Sequence, residues 1–192
     1  KPLHSHDRVV ALKSLKTLEE LISRSSELGV TDIVIPCIES SSLSTKDLKD
    51  KFVVSISKLY QLLDEKNINL SLETDLNAKE FLELINRFSS NKISINYDVG
   101  NSAHFGYDVS EEFANYGHLI TDIHIKDRVL GGGSVLLGNG NADFDTFLAR
   151  LHEINYKGPM IMQAFRDDQG LDIFITQFKW LKDKISKIKY EN

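Results

Sequence analysis

The feature that most constrains this chain is a regular alternation of short apolar segments with longer amphipathic segments. The short segments have the length and β-branched content of strands, and the longer ones repeat apolar residues at helical spacing. Strands joined by helix-length connections run parallel, with the helices packed outside the sheet. Ser44 precedes one helical segment and Asp143 begins another, and both are predicted N-cap residues. The pattern predicts an α/β fold with strands at residues 32–36, 69–73, 92–98, 120–125 and 159–163 and helices at 7–28, 45–65, 78–88, 110–116, 143–154 and from 171 onward.

Three of the predicted strands carry one polar face, which ends in an ionisable group. A flat sheet with helices on both sides leaves little room for such a face. The interior of a barrel with a hydrated mouth accommodates it, so the pattern favours a TIM-type (β/α) barrel. The polar positions are Ser71 and Glu73, then Ser94, Asn96 and Asp98, and then Asp122 and His124.

The number of strands is smaller than a closed barrel requires. Such a barrel has eight strands in about 250 residues, whereas this chain has 192 residues and five predicted strands. We expect residues 1–192 to form a single domain, the C-terminal part of a (β/α)8 barrel, with about three N-terminal β-α units absent. Completion of the barrel by a partner chain is the alternative, because an open sheet would leave parallel edges unpaired.

Composition excludes several classes of protein. The formal net charge is −5, and the densest positive run, residues 179–189, is interleaved with apolar residues at helical spacing. Nucleic-acid binding normally needs a basic surface, so a nucleic-acid partner is disfavoured. The single cysteine, Cys37, forms no internal disulfide and fits a reducing compartment. Since no apolar stretch reaches membrane-spanning length and the N-terminus does not resemble a signal peptide, we predict a cytoplasmic protein without a membrane partner.

Side chains that can bind a metal lie at the ends of four successive predicted strands: Glu73, Asp98, His124 and Gln163. Neighbouring strands lie about 4.8 Å apart, and barrel sites form where strands end. Oxygen donors with one imidazole suit Mn²⁺, Mg²⁺, Co²⁺ or Zn²⁺. Taken alone, Asp98 is more simply a helix cap and His124 a core histidine. Their recurrence at one structural position favours a shared metal site.

Several motifs in the same order resemble the xylose-isomerase-like barrel superfamily, in particular ketopentose-phosphate 3-epimerases and hexulose-phosphate isomerases. The resemblance implies a metal-dependent isomerase or epimerase of a sugar or sugar phosphate. It also implies that a metal ion is held at positions 73, 98, 124 and 163, and that residues 73 and 163 move the proton on either side of a metal-bound enediolate. The motifs are Leu-Glu-Thr at Glu73, Tyr97–Asn101, Ile123–Asp127, Leu137–Phe144 and Leu151–Pro159.

Gln163 departs from the family pattern, which has glutamate at this position. Its amide oxygen can coordinate a metal but cannot act as a base near neutral pH. Three interpretations follow: a one-base isomerase using Glu73, an epimerase that recruits another group, or a catalytically impaired sugar- or metal-binding barrel. The candidates for the other group are Glu39, His104 and Asp127.

Four residues near the strand ends are candidate substrate contacts: Asn101, His104, Lys126 and Arg128. Lys126 and Arg128 can hold a phosphate, with solvated surface as the alternative. Asn101 can donate to a sugar hydroxyl, and its alternative role is a left-handed turn with Gly100. An AP-endonuclease of the same superfamily is least favoured, because only one of the six histidines lies at a strand end. The sugar, its phosphorylation, the metal and the oligomeric state, with a homo-oligomer as one option, stay open.

Overall fold

The predicted alternation of strands and helices is present in the structure, a computed structural model that describes residues 2–168 and 170–188. The helices are α1 Arg8–Glu27, α2 Lys46–Ser57, α3 Tyr60–Lys66, α4 Ala78–Ile85, α5 Val99–Phe105, α6 Val109–Tyr116, α7 Phe144–Glu153 and α8 Leu171–Ile188. The strands are β1 Asp32–Cys37, β2 Asn69–Thr74, β3 Ile93–Asp98, β4 Ile120–Ile125, β5 Asp127–Arg128, β6 Ser134–Val135 and β7 Met160–Met162.

The main sheet has five strands in the order β1-β2-β3-β4-β7. β2 pairs in parallel with β1 and β3, and its Leu72 lies opposite Ile35 and Ile95. β4 pairs in parallel with β7, where Ile123 lies opposite Met160. The short strands β5 and β6 form a separate antiparallel pair after β4. The predicted parallel α/β sheet is therefore confirmed.

The chain divides into two compact units, residues 1–96 and 97–192, and the boundary falls within β3. The first unit contains α1 to α4, β1, β2 and the start of β3. Its core includes fully buried Ile22, Phe52, Leu63, Leu70 and Leu72. The prediction that residues 1–192 form one domain stays a prediction.

The second unit is organised around aromatic side chains. The Tyr97 ring meets the rings of Phe113 and Phe147 at centroid distances of 5.2 and 5.8 Å. Phe144 contacts Trp180 of α8 at 5.1 Å. α8 covers the predicted positive run up to residue 188, and Lys189 lies outside the described residues. Across the residues that the structure describes, no helix is both long and apolar enough to cross a bilayer.

Three helix predictions needed correction. The segment 45–65 forms two helices, α2 and α3, instead of one. Thr45, and not Ser44, caps α2: its backbone is extended, and its hydroxyl accepts a hydrogen bond from the Leu48 N–H at 3.3 Å. α4 ends at Ile85, three residues before the predicted end at 88. The N-cap prediction for α7 is confirmed, because the Asp143 carboxylate accepts from the Thr146 N–H at 3.0 Å.

Candidate metal centre

The predicted polar strand faces are buried and internally bonded. The Ser71 and Ser94 hydroxyls share a hydrogen bond of 3.0 Å. The Asn96 amide donates to Oε2 of Glu73 at 2.8 Å. Asn96 was not among the predicted site residues, although its place on the same strand face as Asp98 was the available signal. All seven positions of these faces are buried: Ser71, Glu73, Ser94, Asn96, Asp98, Asp122 and His124.

Asp98 has two structural roles, one for each carboxylate oxygen. Its Oδ1 accepts the Asn101 N–H at 2.9 Å and thereby caps α5. Its Oδ2 lies 3.8 Å from Nδ1 of His124 and 3.8 Å from Nζ of Lys126. Asp98 therefore caps α5 with one carboxylate oxygen and faces His124 with the other.

Helix α5 was not predicted, and it changes the interpretation of Asn101. The segment Val99–Phe105 turns into a helix directly after β3 and ends at Gly106, whose φ is 70°. Asn101 is helical and buried, so the predicted left-handed turn at Gly100 and Asn101 is wrong. The Asp98 cap is the physical reason, since it satisfies an N–H group that a helix start would otherwise leave open.

The structure brings three of the four predicted ligands together. One ligand atom each of Glu73, Asp98 and His124 lies within 4.8 Å of the others. Metal–ligand distances of about 2.0–2.2 Å place neighbouring ligand atoms roughly 3–3.5 Å apart, so small side-chain adjustments suffice. Two carboxylates and one imidazole are a donor set that fits Mn²⁺, Mg²⁺, Co²⁺ or Zn²⁺.

Gln163 lies beside this group, directly after β7. Its backbone N–H donates to the Ile125 carbonyl at 3.0 Å, and this bond fixes it against the end of β4. Its Nε2 is 3.5 Å from Nε2 of His124. The residue is exposed, unlike the buried Glu73, Asp98 and His124. Its role as a fourth ligand stays a prediction.

The Lys126 side chain passes Gly100 at the start of α5, and its ammonium lies near Asp98. Its ammonium is 3.8 Å from Oδ2 of Asp98. A Cβ at Gly100 would lie 2.8 Å from Cγ of Lys126, so the absence of a side chain at Gly100 makes room for the lysine stem. The arrangement places one positive charge beside a predicted metal ligand.

The other three candidate substrate contacts, Asn101, His104 and Arg128, make hydrogen bonds within the protein. Nη1 of Arg128 donates to Oδ1 of Asn101 at 3.0 Å, while its Nε and Nη2 donate to the Gly132 carbonyl at 3.1 and 2.9 Å. Nδ1 of His104 is 3.0 Å from the same carbonyl. Because a carbonyl only accepts, Nδ1 of His104 must carry the proton in that bond. The structure thus assigns these side chains internal contacts, and substrate binding by them stays a prediction.

Asp127 and Glu39, two of the candidates for a second proton-transfer group, have different surroundings. Asp127 is fully buried and accepts hydrogen bonds from the N–H groups of Gly138, Gly140 and Ala142. Glu39 is exposed at the start of a 3₁₀ turn, with a φ of 51°. The Asp127 carboxylate is therefore engaged by its own loop, and the sequence signal for this was its place before a segment rich in Gly and Asn.

Glu112 is a buried carboxylate that the sequence analysis did not identify. It accepts hydrogen bonds from the hydroxyls of Tyr97 at 2.7 Å, Ser102 at 2.5 Å and Tyr116 at 2.8 Å. Burial raises the pKa of the Glu112 carboxyl, and the three hydroxyl bonds oppose that rise. In the sequence Glu112 looks like an ordinary polar helix position, so only the tertiary contacts reveal it.

Residues 1–184 match the xylose isomerase-like TIM barrel family, and the chain belongs to that family. An inosose dehydratase from Geobacillus kaustophilus is 29% identical over 129 residues, which cover 58% of this chain and 42% of that relative. A putative L-ribulose-5-phosphate 3-epimerase from Haemophilus influenzae is 24% identical over 203 residues, covering 97% of this chain and 70% of the relative. The chain thus spans less than half of the first of these relatives.

Solved structures show the same fold at low sequence identity. An L-ribulose 3-epimerase superposes with a TM-score of 0.82 at 16% identity, over 98% of this chain and 72% of the other. An IolI protein with a bound zinc atom superposes with a TM-score of 0.81 at 17% identity, over 97% and 74% of the two chains. The predicted TIM-barrel fold class and the predicted superfamily are confirmed.

Proposed function

We propose that this chain carries the proton-transfer centre of a metal-dependent isomerase or epimerase that acts on a ketose or ketose phosphate. The observation that carries the proposal is the grouping of Glu73, Asp98 and His124, all buried, with ligand atoms within 4.8 Å of one another. The similarity to a putative sugar-phosphate 3-epimerase supports the same reaction class.

The residues present suit proton abstraction next to a carbonyl. A divalent ion held by Glu73, Asp98 and His124 would supply polarisation of the substrate carbonyl. The Glu73 carboxylate takes a proton from the carbon beside that carbonyl. The Asn96 amide, at 2.8 Å from Oε2, keeps the carboxylate oriented for this transfer. Lys126 adds a donor and a positive charge for a substrate oxygen or phosphate.

Gln163 favours single-base chemistry. An amide cannot accept and return a proton near neutral pH, and the Asp127 carboxylate is occupied by three backbone N–H groups. One carboxylate returns its proton on the face from which it was taken, which suits isomerisation better than inversion at one carbon. The same first step also begins water elimination, the alternative suggested by the similarity to inosose dehydratases.

A catalytically impaired sugar- or metal-binding barrel is the second candidate function. The observation that favours it is the uncharged and exposed Gln163 where the family pattern has a carboxylate. Such a protein would bind metal and sugar without moving substrate protons. The two candidates therefore differ in proton exchange and not in binding.

Hydrogen exchange in D₂O separates the two candidates. The Mn²⁺-loaded chain is incubated with a panel of ketoses and ketose phosphates, and NMR follows the C–H signals beside the carbonyl. We expect exchange with the wild type and a loss of roughly 10³-fold in Glu73→Gln, the scale of a missing general base. Glu83→Gln, which alters an exposed glutamate of the same unit, is the matched control. A wild-type protein that binds Mn²⁺ but exchanges no proton of any sugar would support the binding role instead.

A further inference from the structure

Asp127 lies three residues after His124 and begins β5, which leads into the segment 129–142, here called the β4 loop. We infer that Asp127 is a positioning residue for the candidate metal centre, an inference that rests on the proposed function. Its carboxylate holds the β4 loop, and the loop holds the end of β4 against α5. The separations that His124 and Lys126 keep from Asp98 depend on that arrangement.

The carboxylate of Asp127 closes the β4 loop at its base. It is fully buried. Its Oδ2 accepts from the N–H groups of Gly138 and Gly140, both at 2.9 Å, and its Oδ1 accepts from the Ala142 N–H at 3.1 Å. Hydrogen bonds to an ionised acceptor are stronger than those between neutral groups. One side chain beside β4 therefore fixes the far end of the loop.

The β4 loop is also bonded to α5. The Gly131 N–H donates to the His104 carbonyl at 2.9 Å. Arg128 bridges the Gly132 carbonyl and the Asn101 side chain. α5 is in turn capped by Asp98. A continuous chain of contacts thus runs from Asp98 through α5 and the loop to Asp127 and back to His124 on β4.

Gly140 is required by this arrangement, and Gly133 of the same loop is not. A Cβ at Gly140 would lie 2.2 Å from Oδ1 of Asp127 and 2.6 Å from the Arg128 carbonyl oxygen. A Cβ at Gly133 would have no atom within 4 Å. Neither glycine has a positive φ, so replacing each by alanine compares the same chemical change with and without a clash at the carboxylate.

The test uses two variants that disturb the Asp127 contacts. In Asp127→Asn one terminal atom becomes a donor, so the side chain cannot accept all three N–H groups. Gly140→Ala keeps the carboxylate and is decisive if Asp127→Asn does not fold. The measurements are Mn²⁺ affinity by titration calorimetry and the His124 imidazole ¹⁵N signals of the metal-free protein. We expect about tenfold weaker Mn²⁺ binding and shifted His124 signals in both variants.

Two controls separate positioning from general destabilisation. Gly133→Ala should leave affinity and His124 signals unchanged. Asp143→Ala removes the α7 cap and should lower Tm without changing either measurement. If Asp127→Asn and Gly140→Ala lower Tm but keep wild-type Mn²⁺ affinity and His124 signals, the inference is overturned. If the wild type binds no Mn²⁺, the proposed function fails, and the His124 signals alone decide the positioning role: shifted signals support it and unchanged signals overturn it.

Discussion

Gln163 is the residue at which this chain departs from the glutamate of the family pattern. Its side chain reaches to 3.5 Å from His124, where a glutamate would add a negative charge next to the candidate ligands. With glutamine, the two carboxylates of Glu73 and Asp98 would balance the charge of a divalent ion held there. A third carboxylate would attract the ion more strongly and would supply a second base.

We predict that Gln163→Glu strengthens Mn²⁺ binding by about tenfold, equivalent to about 1.4 kcal/mol, because it adds a charged oxygen donor beside His124. It should also allow proton return on the opposite face of the substrate. Titration calorimetry and the stereochemistry of deuterium incorporation check these outcomes. Gln61→Glu, at an exposed position of α3, is the control. Unchanged affinity in Gln163→Glu would show that position 163 does not face the ion.

Among the secondary-structure elements, β3, α5 and α6 are joined by one buried carboxylate. Glu112 of α6 accepts hydrogen bonds from Tyr97 of β3 and Ser102 of α5. Burial raises its pKa, so the unfolded chain releases this proton at lower pH than the folded chain. The stability that this group contributes is complete below the ordinary pKa of 4.5 and is lost as pH rises through the raised folded value.

We predict that Glu112→Gln, which has no ionisation, gains stability relative to the wild type as pH rises from about 4 to about 8. Glu112→Ala leaves three buried hydroxyls without their acceptor and should lose about 3 kcal/mol. Urea unfolding across this pH range measures both effects. Glu111→Gln, at an exposed position of the same helix, should show no such trend. A constant difference between Glu112→Gln and the wild type would contradict the assigned pKa direction.

The elements themselves were largely predictable, with α5 as the informative exception. The bounds of β4 agree with the prediction at both ends, and polar and apolar residues alternate over its last four positions, Asp122–Ile125. α5 contains Gly100 and Asn101 in its first turn, which are weak helix formers. Its formation depends on the Asp98 cap and on Gly106 at its end, so local propensity did not indicate it.

At the scale of the whole chain, each compact unit leaves apolar surface exposed. Beside β1, a groove of about 720 Å³ is lined by residues that include Val9, Val10 and Ile35. In α8, Phe174 and Phe178 are 42% and 44% exposed. Parallel sheets are normally covered on both faces, and exposed apolar surface of this kind marks a contact surface.

We predict that this 192-residue chain, expressed alone, self-associates through such surfaces. Size-exclusion chromatography with light scattering should give a mass above the 21.8 kDa monomer. The double substitution of Phe174 and Phe178 by serine should raise the monomer fraction because it removes stacked apolar rings. Val54→Ser, on exposed α2, is the control. A monomer at all concentrations tested would show that these surfaces do not drive association.

The sequence by itself determined the parallel α/β architecture, the polar strand faces and the strand ends that carry Glu73, Asp98 and His124, because these follow from periodicity along the chain. Only the tertiary structure decided which atoms meet. It directs Oδ1 of Asp98 to the helix cap and Oδ2 to His124, and it bonds Arg128 and Asp127 to the β4 loop. Such contacts depend on the path of the loops and on the positions of individual side-chain atoms, which residue patterns do not specify.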